Sequence, residues 1–110
     1  MFGPERGDII KFDFYNAQGH EQAGYRPALV ISPGIYNSRS GLAIVCSITN
    51  QVKSTAFEVA LPSGLTTTGV VLTNHIYNID WVIRRAKIIE KAPDDVFNQV
   101  SEIIQTFLFS

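Results

Sequence analysis

A single cysteine, Cys46, in 110 residues leaves no partner for an intrachain disulfide, so the chain is not a small cystine-stapled scaffold. No stretch resembles a secretory signal, and no apolar run is long enough to cross a bilayer. A reducing, cytoplasmic location is the resulting expectation. Net charge is equally scarce: 9 Lys and Arg against 10 Asp and Glu give −1 at pH 7. That balance excludes a protein that coats nucleic acid indiscriminately, which needs a broad basic surface, but it permits a local basic cleft. The 2 histidines and one cysteine lack zinc-ligand spacing, so neither a metal nor a cofactor is expected. There is no internal repeat and no linker. With 45% hydrophobic and 17% charged residues, the length suits one soluble domain over 1–110 with one core.

The remaining residues are organised around the stretch from Gln18 to Thr49. Pro27 fixes its own φ and pushes Arg26 towards an extended conformation, holding a cation at the mouth of the apolar run Ala28-Leu29-Val30-Ile31. A guanidinium there suits a phosphate or carboxylate, because it offers a planar fork of donors and stays charged. A surface pair with Glu21 fits the same spacing equally well.

Taken in order, Asp8 to Tyr15 reads as a half-buried strand with Ile10, Phe12 and Phe14 on one face and Lys11 and Asp13 on the other. Asn16 to Tyr25 is a polar loop carrying His20 and Glu21. Ala28 to Ile31 lacks alternation, which suits a strand buried on both sides, and Ser32-Pro33-Gly34 ends it. Ile35 to Gly41 suits a short helical turn. Leu42 to Thr49 is a third strand, with Thr49 at its end and out of phase with Cys46. Asn50 to Ser54 is short enough for a hairpin into a fourth strand around Phe57, Val59 and Leu61. Pro62 to Gly69 is a loop, and Val70-Val71-Leu72-Thr73 a strand that Asn74-His75 ends or bends. Ile79-Asp80-Trp81 reads as a corner, and Val82 to Glu90 as the last strand. Pro93 suits the first position of a terminal helix, and Asp94 and Asp95 suit the positive end of its dipole. Val96, Phe97, Val100, Ile103, Ile104, Phe107 and Leu108 give that helix one apolar face, to be packed on the sheet or on a partner. Short strands closed by one helix predict a mainly β fold, a small, strongly curved antiparallel sheet or SH3-like barrel.

The segments Glu21-Gln22-Ala23-Gly24-Tyr25-Arg26-Pro27-Ala28, Ser32-Pro33 with Tyr36-Asn37, Ile48-Thr49-Asn50-Gln51, and Gly69-Val70-Val71-Leu72 with Ile79-Asp80-Trp81 resemble the MazF/PemK/Kid toxins in order and spacing from Gly7 to the final helix. The resemblance implies a homodimeric toxin on a CcdB/Kid-like barrel. It also implies metal-independent cleavage of single-stranded RNA at short sequences, and inhibition by a cognate antitoxin. The family's catalytic arginine and threonine fall on Arg26 and Thr49, its loop glutamate on Glu21, and Gln51 near the RNA groove. Where the family often has aspartate followed by glutamine, this chain has Asn74 and His75, so the acid–base assignment and the sequence preference do not carry over.

Cleavage through the RNA's own 2′-hydroxyl needs that hydroxyl deprotonated, the phosphorane charge neutralised and the departing 5′ oxygen protonated. Arg26 suits the second task, and Thr49 can add a hydrogen bond or be an ordinary strand threonine. Glu21 is either a base or a support for Arg26. His75 and His20 belong to the residue type whose ordinary pKa suits proton transfer near neutrality, although a strand end and a solvated loop account for them as well. Cys46, among apolar neighbours, reads as a core thiol. Lys53, Arg84, Arg85 and Lys87 supply positive charge, and Tyr25, Tyr36, Tyr77 and Trp81 offer stacking faces, with a core or interface anchor the commoner role for Trp81. A competing function on the same barrel is a non-enzymatic, CcdB-like poison of DNA gyrase, which has no need of the Arg26–Thr49 pair. Apolar strand residues and a terminal apolar helix exceed what one thin barrel covers, which again predicts a homodimer. A disordered acidic antitoxin tail is expected across the groove containing Arg26.

Overall fold

The structure, a computed structural model, describes residues 3–14 and 25–110, so Glu21 and His20 lie outside the described residues. The elements run β1 (Asp8–Asp13), β2 (Tyr25–Val30), α1 (Gly34–Ser40), β3 (Leu42–Thr49), β4 (Glu58–Ala60), β5 (Val70–Asp80), β6 (Lys87–Lys91) and α2 (Asp94–Phe109). One antiparallel sheet in the order β4-β5-β3-β2-β1-β6 curls into a half-barrel.

The unalternating run of β2 is buried on both faces. Leu29 joins a cluster with Ile9, Cys46, Ile48, Val59, Val71, Val96 and Val100, whereas Ala28 and Val30 join Ile10, Phe12, Ala43, Val45 and Ile79 on the opposite side. Full burial of one such aliphatic side chain contributes about 1.5–3 kcal/mol. α2 covers the first cluster through Val96 and Val100, with Phe97, Ile103 and Ile104 packed beside them. Its last turn leaves that core: Phe107 forms a T-shaped pair with Phe57, with centroids 5.5 Å apart, and Phe109 is 81% exposed. Cys46 is fully buried, and desolvation pushes its thiol up to about 12. The native protein is therefore expected to resist iodoacetamide at pH 8 and to react once unfolded in denaturant; stoichiometric labelling of the folded chain, read by mass spectrometry, would contradict this burial.

Four expectations are corrected. β1 ends at Asp13; Ile10 and Phe12 face one cluster and Lys11 is exposed as the alternation predicts, while Ile9, on the Lys11 side, is buried in the cluster under α2. β3 and β4 do not form a hairpin. β5 lies between them, and Val70 pairs with Thr49 on one side and Ala60 on the other. Residues 50–57 instead fold on themselves, their Lys53 and Ser54 N–H groups donating to Glu58 at 3.0 and 2.9 Å. Of the two outcomes open at Asn74-His75, β5 takes the bend and does not end: Cys46 pairs with Ile76 and Ile48 with Val71, so two steps along β3 span five along β5. The surplus is taken up partly by Thr73, whose N–H and hydroxyl both donate to the Phe57 carbonyl, at 3.1 and 2.7 Å. The last strand covers only Lys87–Lys91, since the Asp80 carboxylate accepts the Val82 and Ile83 N–H groups at 3.1 and 2.9 Å and turns the chain there. Pro93 precedes the first residue of α2, its carbonyl accepting from Val96 and Phe97.

Candidate active site

β2 and β3 pair through Ala28–Ser47, Leu29–Cys46 and Val30–Val45, and there the pairing stops. Pro27 follows on β2, with no N–H to donate to a ladder. The same register carried two residues further sets Pro27 against Ile48 and Arg26 against Thr49. The strands part at this point, and the opening is a cavity of about 400 Å³ lined by Tyr25, Arg26, Pro27, Ile48, Thr49, Asn50 and Thr68. The Arg26 guanidinium is exposed and lies over the Phe14 ring, 5.5 Å from its centroid. This cation–π contact holds the guanidinium beside the ring at the cavity's edge.

Thr49 also lines a second cleft, of about 210 Å³, with Gln51, Lys53, Glu58, Asn74 and His75 among its walls. Its Oγ1 accepts the Gln51 N–H at 3.1 Å, which leaves the threonine's own hydrogen available to the clefts. The bend in β5 brings Asn74 and His75 to this side. Residues expected from scattered parts of the chain (Thr49, Gln51, Lys53, Asn74 and His75) thus share one cleft, with Arg26 on the other side of Thr49.

Arg84 and Arg85 line neither cleft and belong to a turn, not to a strand edge. The Arg84 guanidinium donates to the Asp13 and Phe14 carbonyls, tying down the end of β1. The Arg85 carbonyl accepts the Tyr25 hydroxyl at 2.8 Å. Lys87 stands 5.7 Å from the Tyr25 ring centroid. Of the aromatic candidates, only Tyr25 lines the Arg26 cavity. The Tyr36 hydroxyl donates to Asn78, the Trp81 indole donates to the Asn37 carbonyl, and Tyr77 packs edge-on with Phe14. Among the described residues, no three of His, Cys, Asp and Glu converge as metal ligands.

Glu58 and Thr68 are among the walls that escaped sequence reasoning. Glu58 supports the 50–57 loop by accepting backbone N–H groups, and strand alternation alone gives no sign of that. Thr68 reaches the Arg26 cavity because its hydroxyl donates to Asn50 Oδ1 at 3.0 Å, across a loop with no periodic signal.

Comparison with known proteins places this architecture. The chain is 43% identical over 83 residues to the endoribonuclease toxin MazF of Escherichia coli K12, covering 76% of this chain and 74% of that protein. It superposes on the crystal structure of MazF from Deinococcus radiodurans with a TM-score of 0.88 at 40% identity, covering 100% of both chains. A MazE-MazF crystal structure from the same organism gives a TM-score of 0.88 at 37% identity over 99% of this chain and 98% of that one. The class so defined is that of the toxins of toxin–antitoxin pairs. A family model described as PemK-like, MazF-like toxin of type II toxin-antitoxin system matches residues 5–108, and the chain belongs to this family.

Proposed function

We propose that this chain is a toxin endoribonuclease that cleaves single-stranded RNA without a metal, by attack of the 2′-hydroxyl on the adjacent phosphate. The facing of Arg26 and Thr49 across the gap where β2 and β3 part is the observation that carries this reading. The phosphate sits in that gap. Arg26 neutralises the charge that grows on the phosphorane, and the Thr49 hydroxyl donates a second hydrogen bond to it. The 2′ oxygen bonds to phosphorus, the bond to the 5′ oxygen breaks, and a proton passes to that departing oxygen. His75, which shares the second cleft with Thr49, is the candidate to deliver the proton, while Gln51, Lys53 and Asn74 hold the flanking nucleotide. In this scheme Glu21 takes the 2′ proton or supports Arg26, with His20 as the other candidate in that loop.

The working form is a homodimer held in check by an antitoxin, as the MazE-MazF complex of the D. radiodurans relative suggests. No helix among the described residues is long and apolar enough to cross a membrane, and a toxin acting on RNA would work in the cytoplasm. The exposed Phe107, Leu108 and Phe109 at the end of α2 favour, as a second reading, a CcdB-like gyrase poison acting through that helix.

Purified protein incubated with a defined single-stranded RNA in excess EDTA separates the two. The nuclease reading expects discrete cuts that persist in chelator and no effect on gyrase supercoiling. Intact RNA together with gyrase inhibition would replace it with the second reading.

A further inference from the structure

The loop between β4 and β5 is held by a carboxylate from the opposite edge of the sheet. Glu90, on β6, pairs in register with Ile9. Its carboxylate accepts the Thr66 N–H at 3.0 Å and the Thr67 N–H at 2.7 Å. β4 and β6 are the two ends of the six-stranded order, so these bonds fasten the half-barrel across its open side. Desolvation alone would raise the carboxyl's pKa, but hydrogen bonds from Thr66 and Thr67 outweigh it and hold the group below the usual carboxylate range. The ionised form is therefore the one that binds the loop.

The residues immediately after this anchor form part of the candidate active site. The Thr68 hydroxyl donates to Asn50 Oδ1, and both side chains line the Arg26 cavity. Gly69, at φ +111°, passes so close to β3 that a Cβ there would stand 2.2 Å from the Thr49 carbonyl oxygen and 3.0 Å from Asn50 Oδ1. Beyond it, Val70 pairs with Thr49. Any displacement of residues 66–69 is thus passed to Thr49 and Asn50 by direct contact.

We propose that Glu90 is a positioning residue: by fixing the Thr66 and Thr67 backbone it sets the Thr68–Gly69 wall against Thr49 and Asn50, and so the placement of the Thr49 hydroxyl opposite Arg26. The inference rests on the RNA-cleaving reading. It requires no contact between Glu90 and substrate. A small displacement of a reacting group is enough to lower the rate without unfolding the protein.

The test compares Glu90→Ala, Glu90→Gln, Thr49→Ala and the Glu90→Ala/Thr49→Ala double variant by RNA cleavage, with amide hydrogen exchange on each. Glu90→Ala should lower kcat by about tenfold with a smaller change in KM. Glu90→Gln keeps one acceptor oxygen but turns an amide N–H₂ towards the second donor, so it should fall between Glu90→Ala and the unaltered protein. If Glu90 acts through Thr49, the double variant should be no slower than Thr49→Ala alone. Multiplying losses in the double variant, or wild-type kcat in Glu90→Ala, would overturn the proposal. Exchange at Thr66 and Thr67 should accelerate in Glu90→Ala, accompanied by changed exchange at Asn50 and Gln51; unaltered exchange would equally overturn it. The exchange arm needs no nuclease activity, so a wild-type protein that leaves RNA intact would defeat the RNA-cleaving reading while the anchor is still judged. Glu90→Gln carries the comparison should Glu90→Ala fail to fold.

Discussion

Arg26→Ala is expected to lower kcat for RNA cleavage by about a hundredfold or more, since removing one preorganised donor to a developing oxyanion costs about 3 kcal/mol of barrier. The loss should fall on kcat more than on KM, because the phosphate carries its greatest charge in the transition state. Folding should survive. Arg26 is exposed at the end of β2, and loss of its cation–π contact with the Phe14 ring costs about 0.5–1 kcal/mol at such a site. A loss of that size lowers the Tm by no more than about 8 °C in a domain of this length. Arg26→Lys should restore little of the rate, since an ammonium keeps the charge but lacks the planar fork that two phosphate oxygens can share. A variant that melts near the wild-type temperature and still cuts RNA at the wild-type rate would remove Arg26 from the mechanism.

An RNA with a single 2′-deoxy nucleotide at the cut site should not be cut at that site in excess chelator, and DNA of the same sequence should be left intact. In the proposed reaction the nucleophile belongs to the substrate: the 2′ oxygen lies next to the phosphate and replaces a bimolecular attack by water. Replacing it with hydrogen deletes the attacking atom while leaving the phosphate that Arg26 and Thr49 hold. The modified RNA should therefore still bind and should inhibit cleavage of the unmodified one. On the unmodified RNA the products should carry 2′,3′-cyclic phosphate and 5′-hydroxyl ends. Cutting at the deoxy position would mean that water is the nucleophile, and the roles of Arg26 and Thr49 would need to be assigned again.

Some of this protein was determined by the sequence alone. The unbroken apolar run Ala28-Leu29-Val30 forces burial on both faces, because no choice of register can turn consecutive aliphatic residues to water. The phase of Leu42 to Thr49 put Cys46 in the core and Thr49 at the strand's end, and the three- and four-residue spacing from Val96 to Ile104 defined the face that α2 lays on the sheet. The motif stretches around Arg26 and Thr49 carried the family. Only the tertiary structure decided which strands became neighbours. A short polar connection after Thr49 is compatible with a hairpin, yet β5 takes that place, its Val70 and Val71 pairing with β3 along one edge and with β4 along the other. The opening between Arg26 and Thr49, the bend that delivers Asn74 and His75, and the hold of Glu90 on Thr66 and Thr67 all depend on that arrangement. Each rests on hydrogen bonds or contacts between segments far apart in the chain, and such bonds leave no periodicity behind: an isolated Glu in a strand or Thr in a loop reads the same whether it faces solvent or anchors a wall of the site.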